Sequence, residues 1–150
     1  MKYRTLATAV FLAAMTSPCL AVDAQMAFPE LFGKWKVDRL VGVTPITADQ
    51  KSAKVALGTI VTISANLIRT YDRASDCKPR NPMITEVDTN AKLEDEFGTN
   101  ANGLSLPPGT LKSHMSYMDA GCAFALVLNH DRLLWPMGNG YIYTIRRQRG

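Results

Sequence analysis

Apolar and polar positions alternate in short runs along most of this chain. Lys34 to Val43 (KWKVDRLVGV) places Trp35, Val37 and Arg39 on one side and Lys34, Lys36 and Asp38 on the other. Period-two alternation predicts a half-buried strand, and Pro45 ends it. Thr47-Ala48-Asp49-Gln50 has the form of a capping box, with Thr47 as N-cap and Gln50 three residues on. Good helix formers follow, and Gly58 sits where a helix stops, so one short helix is expected over 48–57. Thr59 to Ser64 (TIVTIS) is β-branched and apolar, Ala65-Asn66 turns the chain, and Leu67 to Tyr71 returns it as a hairpin.

Residues 72–82 (DRASDCKPRNP) are polar and interrupted by two prolines, which predicts a loop. Met83 to Val87 reads as a strand, and Lys92 to Phe97 (KLEDEF) fits either a helical turn or a strand. Gly98 to Gly109 holds three glycines and two prolines and is expected to be a long irregular connection. Leu111 to Met118, Cys122 to Leu128, Arg132 to Trp135 and Tyr141 to Arg147 read as strands. Asn129-His130-Asp131 and Gly138-Asn139-Gly140 are the turns between the last three. Strands joined by tight turns, with one clear helix, indicate a mainly β fold: an antiparallel sheet of about eight strands closed into a barrel or folded as a sandwich, with the barrel expected.

The N-terminus changes the picture of what the folded unit is. Lys2 and Arg4 precede an uncharged apolar run from Thr5 to Met15, and Cys19-Leu20-Ala21 offers a small-x-small exit. This is the pattern of a cleavable secretory signal peptide over residues 1–21, with a second cut position after Ala24. Residues 22–150 are then a single exported domain, periplasmic or secreted. The apolar run is too short to span a bilayer, so no membrane span is expected in the mature form. Loss of Lys2 and Arg4 leaves 15 cations against 13 anions, a net charge of +2. That balance, with signs interspersed, makes no case for nucleic acid or an anionic membrane. In an oxidising compartment the remaining Cys77 and Cys122 are expected to form a disulfide.

Gly33-Lys34-Trp35 at the start of the first strand, with Arg146-Arg147 closing the last, resembles the opening motif of lipocalins and other calycins. The resemblance implies a β-barrel in which Trp35 packs at the closed end. Arg146 or Arg147 would lie over its ring and reach backbone carbonyls. Gly33, Trp35 and the arginine would be structural. Two features depart from the family: the helix falls between the first two strands, and the internal Thr-Asp-Tyr motif is not evident.

No catalytic residue stands out. His130-Asp131 belongs to a turn, His114 has serines nearby but no nucleophile elbow, and Glu94-Asp95-Glu96 lacks a calcium-loop pattern. No metal or cofactor signature is present. Met83, Met115, Met118 and Met137 read as core filler. Tyr117, Phe124, Trp135, Tyr141 and Tyr143 are candidate pocket walls, aromatic bodies with polar tips among them. The expectation is a non-enzymatic binding protein that holds a small apolar or amphipathic ligand in the barrel. The alternative is an inhibitor or immunity protein that binds a secreted hydrolase or toxin through the 98–109 loop and nearby strand edges.

Overall fold

The computed structural model describes residues 29–46 and 50–149. The expected leader with both cut positions, Cys19, and Thr47 of the expected capping box lie outside the described residues. Among the described residues eight strands form one sheet: β1 (Gly33–Val43), β2 (Ile60–Ile63), β3 (Ile68–Arg69), β4 (Met83–Asp88), β5 (His114–Asp119), β6 (Phe124–Asn129), β7 (Arg132–Pro136) and β8 (Tyr141–Arg147). Their order is β3-β2-β1-β8-β7-β6-β5-β4, and every neighbouring pair is antiparallel. Two meanders are thus joined where the first long strand meets the last.

The sheet curls into a half-barrel. Ile63 and Ile68 from β2 and β3 share one apolar cluster with Met118 of β5, although those strands lie toward opposite ends of the sheet order. That face is therefore the concave one. It is filled by Trp35, Val37, Leu133, Trp135, Tyr143 and Ile145, with Ala53 and Ala56 of helix α1 (Gln50–Ala56) packed on it. Each large side chain so buried contributes about 1.5–3 kcal/mol.

The opposite face is covered over part of its extent by helix α2 (Thr89–Phe97) and the connection after it. Leu93, Phe97 and Leu104 pack there on Val41, Leu126, Leu134 and Ile142. Central strands are consequently buried on both sides, and Tyr141 to Ile145 is buried without interruption. The second helix resolves the ambiguity of Lys92 to Phe97. Asp88 caps it through an acceptor bond from the Ala91 N–H, and Gly98 ends it in the left-handed conformation. The 98–109 connection contains a single 3₁₀ turn, Ala101–Gly103.

The alternation of β1 is interrupted. Register shifts fall between Val37 and Arg39 and between Leu40 and Gly42. The first moves Arg39 off the Trp35–Val37 side, against the sequence expectation. It pairs with Thr144, and its guanidinium donates to the Ser105 carbonyl at 3.3 Å. A bulge adds one residue to one strand and so reverses the side on which later residues fall.

The two edge strands, β3 and β4, do not pair with each other among the described residues. The 70–82 segment crosses the gap instead. Cys77 exchanges two backbone hydrogen bonds with Ile68, and the Arg80 N–H donates to the Ala120 carbonyl at 2.8 Å. The Cys77–Cys122 disulfide fastens this crossing to the β5–β6 turn. Gly121 makes the approach possible: its φ is +73°, and a Cβ there would stand 2.9 Å from the Arg80 carbonyl oxygen.

Candidate functional site: an open-ended cleft and a clasped base

The crossing segment, the β5–β6 turn and the β7–β8 turn surround a half-open cleft of about 510 Å³. Its apolar lining comes from Tyr71, Ala123, Phe124, Trp135, Pro136 and Met137 with the disulfide, and Asp72, Asp76 and Glu96 stand among its lining residues. A concave, mostly apolar space with a few polar groups is the usual form of a small-molecule site.

Local hydrogen bonds hold the polar side of the cleft in shape. The Asp72 carboxylate accepts from the Thr70 hydroxyl at 2.8 Å, the Ser75 N–H at 3.1 Å and the Ser75 hydroxyl at 2.9 Å. Asp76 accepts from the Thr70 N–H at 2.8 Å and pairs with Arg69 at 3.4 Å. Burial raises the Asp72 pKa, but the bonds from Thr70 and Ser75 outweigh it and hold the carboxyl below its ordinary value. Its contribution to stability is therefore complete above the unfolded carboxylate pKa and is lost as pH falls through the lower folded value. Glu96 is paired with Lys92 at 3.5 Å.

The sequence candidates separate. Phe124 and Trp135 line the cleft. Tyr143 is fully buried in the concave core; its hydroxyl donates to the Ala53 carbonyl and accepts from the Asn139 amide, each at 3.1 Å. Tyr141 is buried in the same cluster. Tyr117 lies on the other face, its ring tilted 6.1 Å from Phe124 and capped by Lys92 at 4.7 Å. Burial, with Glu96 and Asp119 adding to it, raises the Tyr117 hydroxyl pKa well above its usual range. The residues that sequence reasoning missed are Tyr71, Asp72, Ser75, Asp76 and Met137. The signal for them was Cys77, which anchors an otherwise polar loop against the sheet.

At the other end of the half-barrel, the Arg147 guanidinium lies 4.3 Å from the centre of the Trp35 ring. It donates to the carbonyls of Phe32 at 3.0 Å, His130 at 3.2 Å, and Glu30. The Trp35 indole N–H donates to the Leu31 carbonyl at 2.9 Å. Gly33 adopts a φ of +134°, a conformation that favours glycine, and this turns the chain into β1. Arg146 points away, exposed on the opposite side of β8.

His114 is exposed, with its Nδ1 3.4 Å from the Ser113 hydroxyl. His130 is paired with Asp131 at 3.0 Å. Glu94, Asp95 and Glu96 are exposed on α2. Among the described residues no cluster of three His, Cys, Asp or Glu side chains is placed to hold a metal, and no helix is long and apolar enough to cross a membrane. Comparison of the chain with family models, characterised proteins and solved structures finds no match.

Proposed function

We propose that this chain is an exported, non-enzymatic binding protein that holds a small amphipathic ligand in the cleft at the open end of its half-barrel. The observation that carries the reading is the cleft itself: about 510 Å³, lined by Trp135, Met137 and Phe124 together with Asp72 and Asp76. A ligand with an apolar body and a polar group matches that mixed lining. The concave core is filled by Trp35, Tyr143 and Leu133, so the ligand belongs at the end of the half-barrel and not deep within it. A lipocalin-like kinship is part of the proposal and is supported by the Gly33-x-Trp35 entry with Arg147 over the indole. Export is supported by the signal-peptide pattern of residues 1–21 and by the disulfide.

The filled concave core also favours a second reading, a protein that inhibits or neutralises a secreted hydrolase or toxin through a strand edge. β4 is such an edge, with Met83, Thr85 and Glu86 exposed. Native mass spectrometry of the chain as its host exports it separates the two. A small molecule that stays with the folded protein and dissociates on unfolding is the expected result. A ligand-free spectrum together with a stoichiometric complex with a secreted hydrolase would replace the first reading with the second.

A further inference from the structure

We infer that the uncovered part of the convex sheet face is a basic surface that docks on the anionic headgroups of a phospholipid bilayer. Cations dispersed in the sequence are gathered here by strand alternation and register. Lys36 of β1 stands opposite Arg146 of β8, and Arg146 stands opposite Arg132 of β7, so three cations lie side by side across three strands. Lys34 lies two residues from Lys36 on the same side of β1, opposite Thr62, which in turn faces Arg69 of β3. Lys34, Lys36, Arg69 and Arg146 are exposed and Arg132 is half-buried.

The Lys36–Arg146–Arg132 row is not neutralised by paired anions, although the exposed Asp38 stands two residues from Lys36 on β1. Among the described residues, Lys34, Lys36, Arg132 and Arg146 form no ion pair within 4 Å, and neither does Asp38, the next carboxylate along β1. Asp76 pairs with Arg69, and Asp131 is taken up by Arg149 and His130. Like charges placed directly opposite each other on a sheet are destabilising, so the fold gains nothing from the Lys36–Arg146–Arg132 row. The charges lie in two rows, about 5 Å apart between strands and about 7 Å apart along β1. A planar array of phosphates meets both rows at once, whereas a single polymer strand meets one. The exposed Ile60, opposite Lys36, adds an apolar contact at the end of the row. This inference does not depend on the cleft.

The test is co-sedimentation of the exported chain with phosphatidylcholine vesicles, with and without phosphatidylglycerol. The wild-type protein should bind the phosphatidylglycerol vesicles preferentially and leave them in 1 M salt, where screening shortens to about 3 Å. Arg146→Gln should weaken that binding about fivefold and Lys36→Gln/Arg146→Gln about 25-fold. Lys51→Gln, on α1, should leave it unchanged. Arg146→Gln should also keep or raise the thermal midpoint, because it removes repulsion; a purely structural arginine would lower it. Equal binding by wild type and the double variant would overturn the inference. So would equal binding to neutral vesicles, or capture of soluble dextran sulfate without vesicle binding.

Discussion

Arg146 and Arg147 are adjacent in the sequence and point to opposite sides of the last strand. Arg147 covers the Trp35 ring and donates to three carbonyls, while Arg146 faces solvent between two other cations. Arg147→Ala should therefore cost about 2–3 kcal/mol, combining the cation–π contact with the lost charged hydrogen bonds. Arg147→Lys should recover less than half of this, since an ammonium lacks the planar guanidinium that lies over the Trp35 ring while its separate nitrogens reach three carbonyls. Urea unfolding of these variants beside Arg146→Ala checks the assignment, and an equal loss from Arg146→Ala would contradict it. The sequence showed that a terminal arginine belongs to Trp35 if the calycin resemblance holds. It did not show which one, because that depends on which side of β8 faces the tryptophan. The same limit applies to the aromatic candidates. One register step sends Tyr117 beneath α2, while Tyr143 spends its hydroxyl on Ala53.

Among the elements, the 70–82 crossing has the largest consequence. It spans the gap between the edges of the sheet and forms one wall of the cleft. Cys77→Ser/Cys122→Ser should lower stability by about 4 kcal/mol, the loop-closure entropy of a bridge with a separation of 45 residues. In that variant hydrogen exchange should quicken at position 77 and at Arg80 and stay slow in β7 and β8, whose residues are buried on both faces. Exchange that quickens equally in β7 and β8 would show that the crossing is not a separate unit. Strands were largely legible because their runs alternate or are continuously apolar, and Tyr141–Arg147 matches its expected bounds. The second helix was less legible. Its apolar positions, Leu93 and Phe97, stand four apart among three consecutive acids, and its caps at Asp88 and Gly98 are seen in the structure. The β1 bulges carried no local signal in KWKVDRLVGV; pairing with β8 determines them.

The molecule as a whole is a half-barrel with a packed interior, a clasped base and an open end. Alternation and turn residues led to the antiparallel sheet. The filling of the concave face depends on how β2, β3 and β5 curl together, which local sequence does not record. The cleft likewise depends on the 70–82 crossing and two later turns that the fold brings together. Its use by an amphipathic ligand is the central claim, and titration with N-phenylnaphthylamine, a neutral fluorescent amphiphile, tests it most directly. The wild-type chain should show saturable binding at one site. Ala123→Trp and Ala74→Trp, which place bulk in the cleft from two different segments, should each weaken it by more than tenfold while the thermal midpoint of at least one stays unchanged. Binding that is absent in the wild type, or equal in all three proteins, would contradict the account.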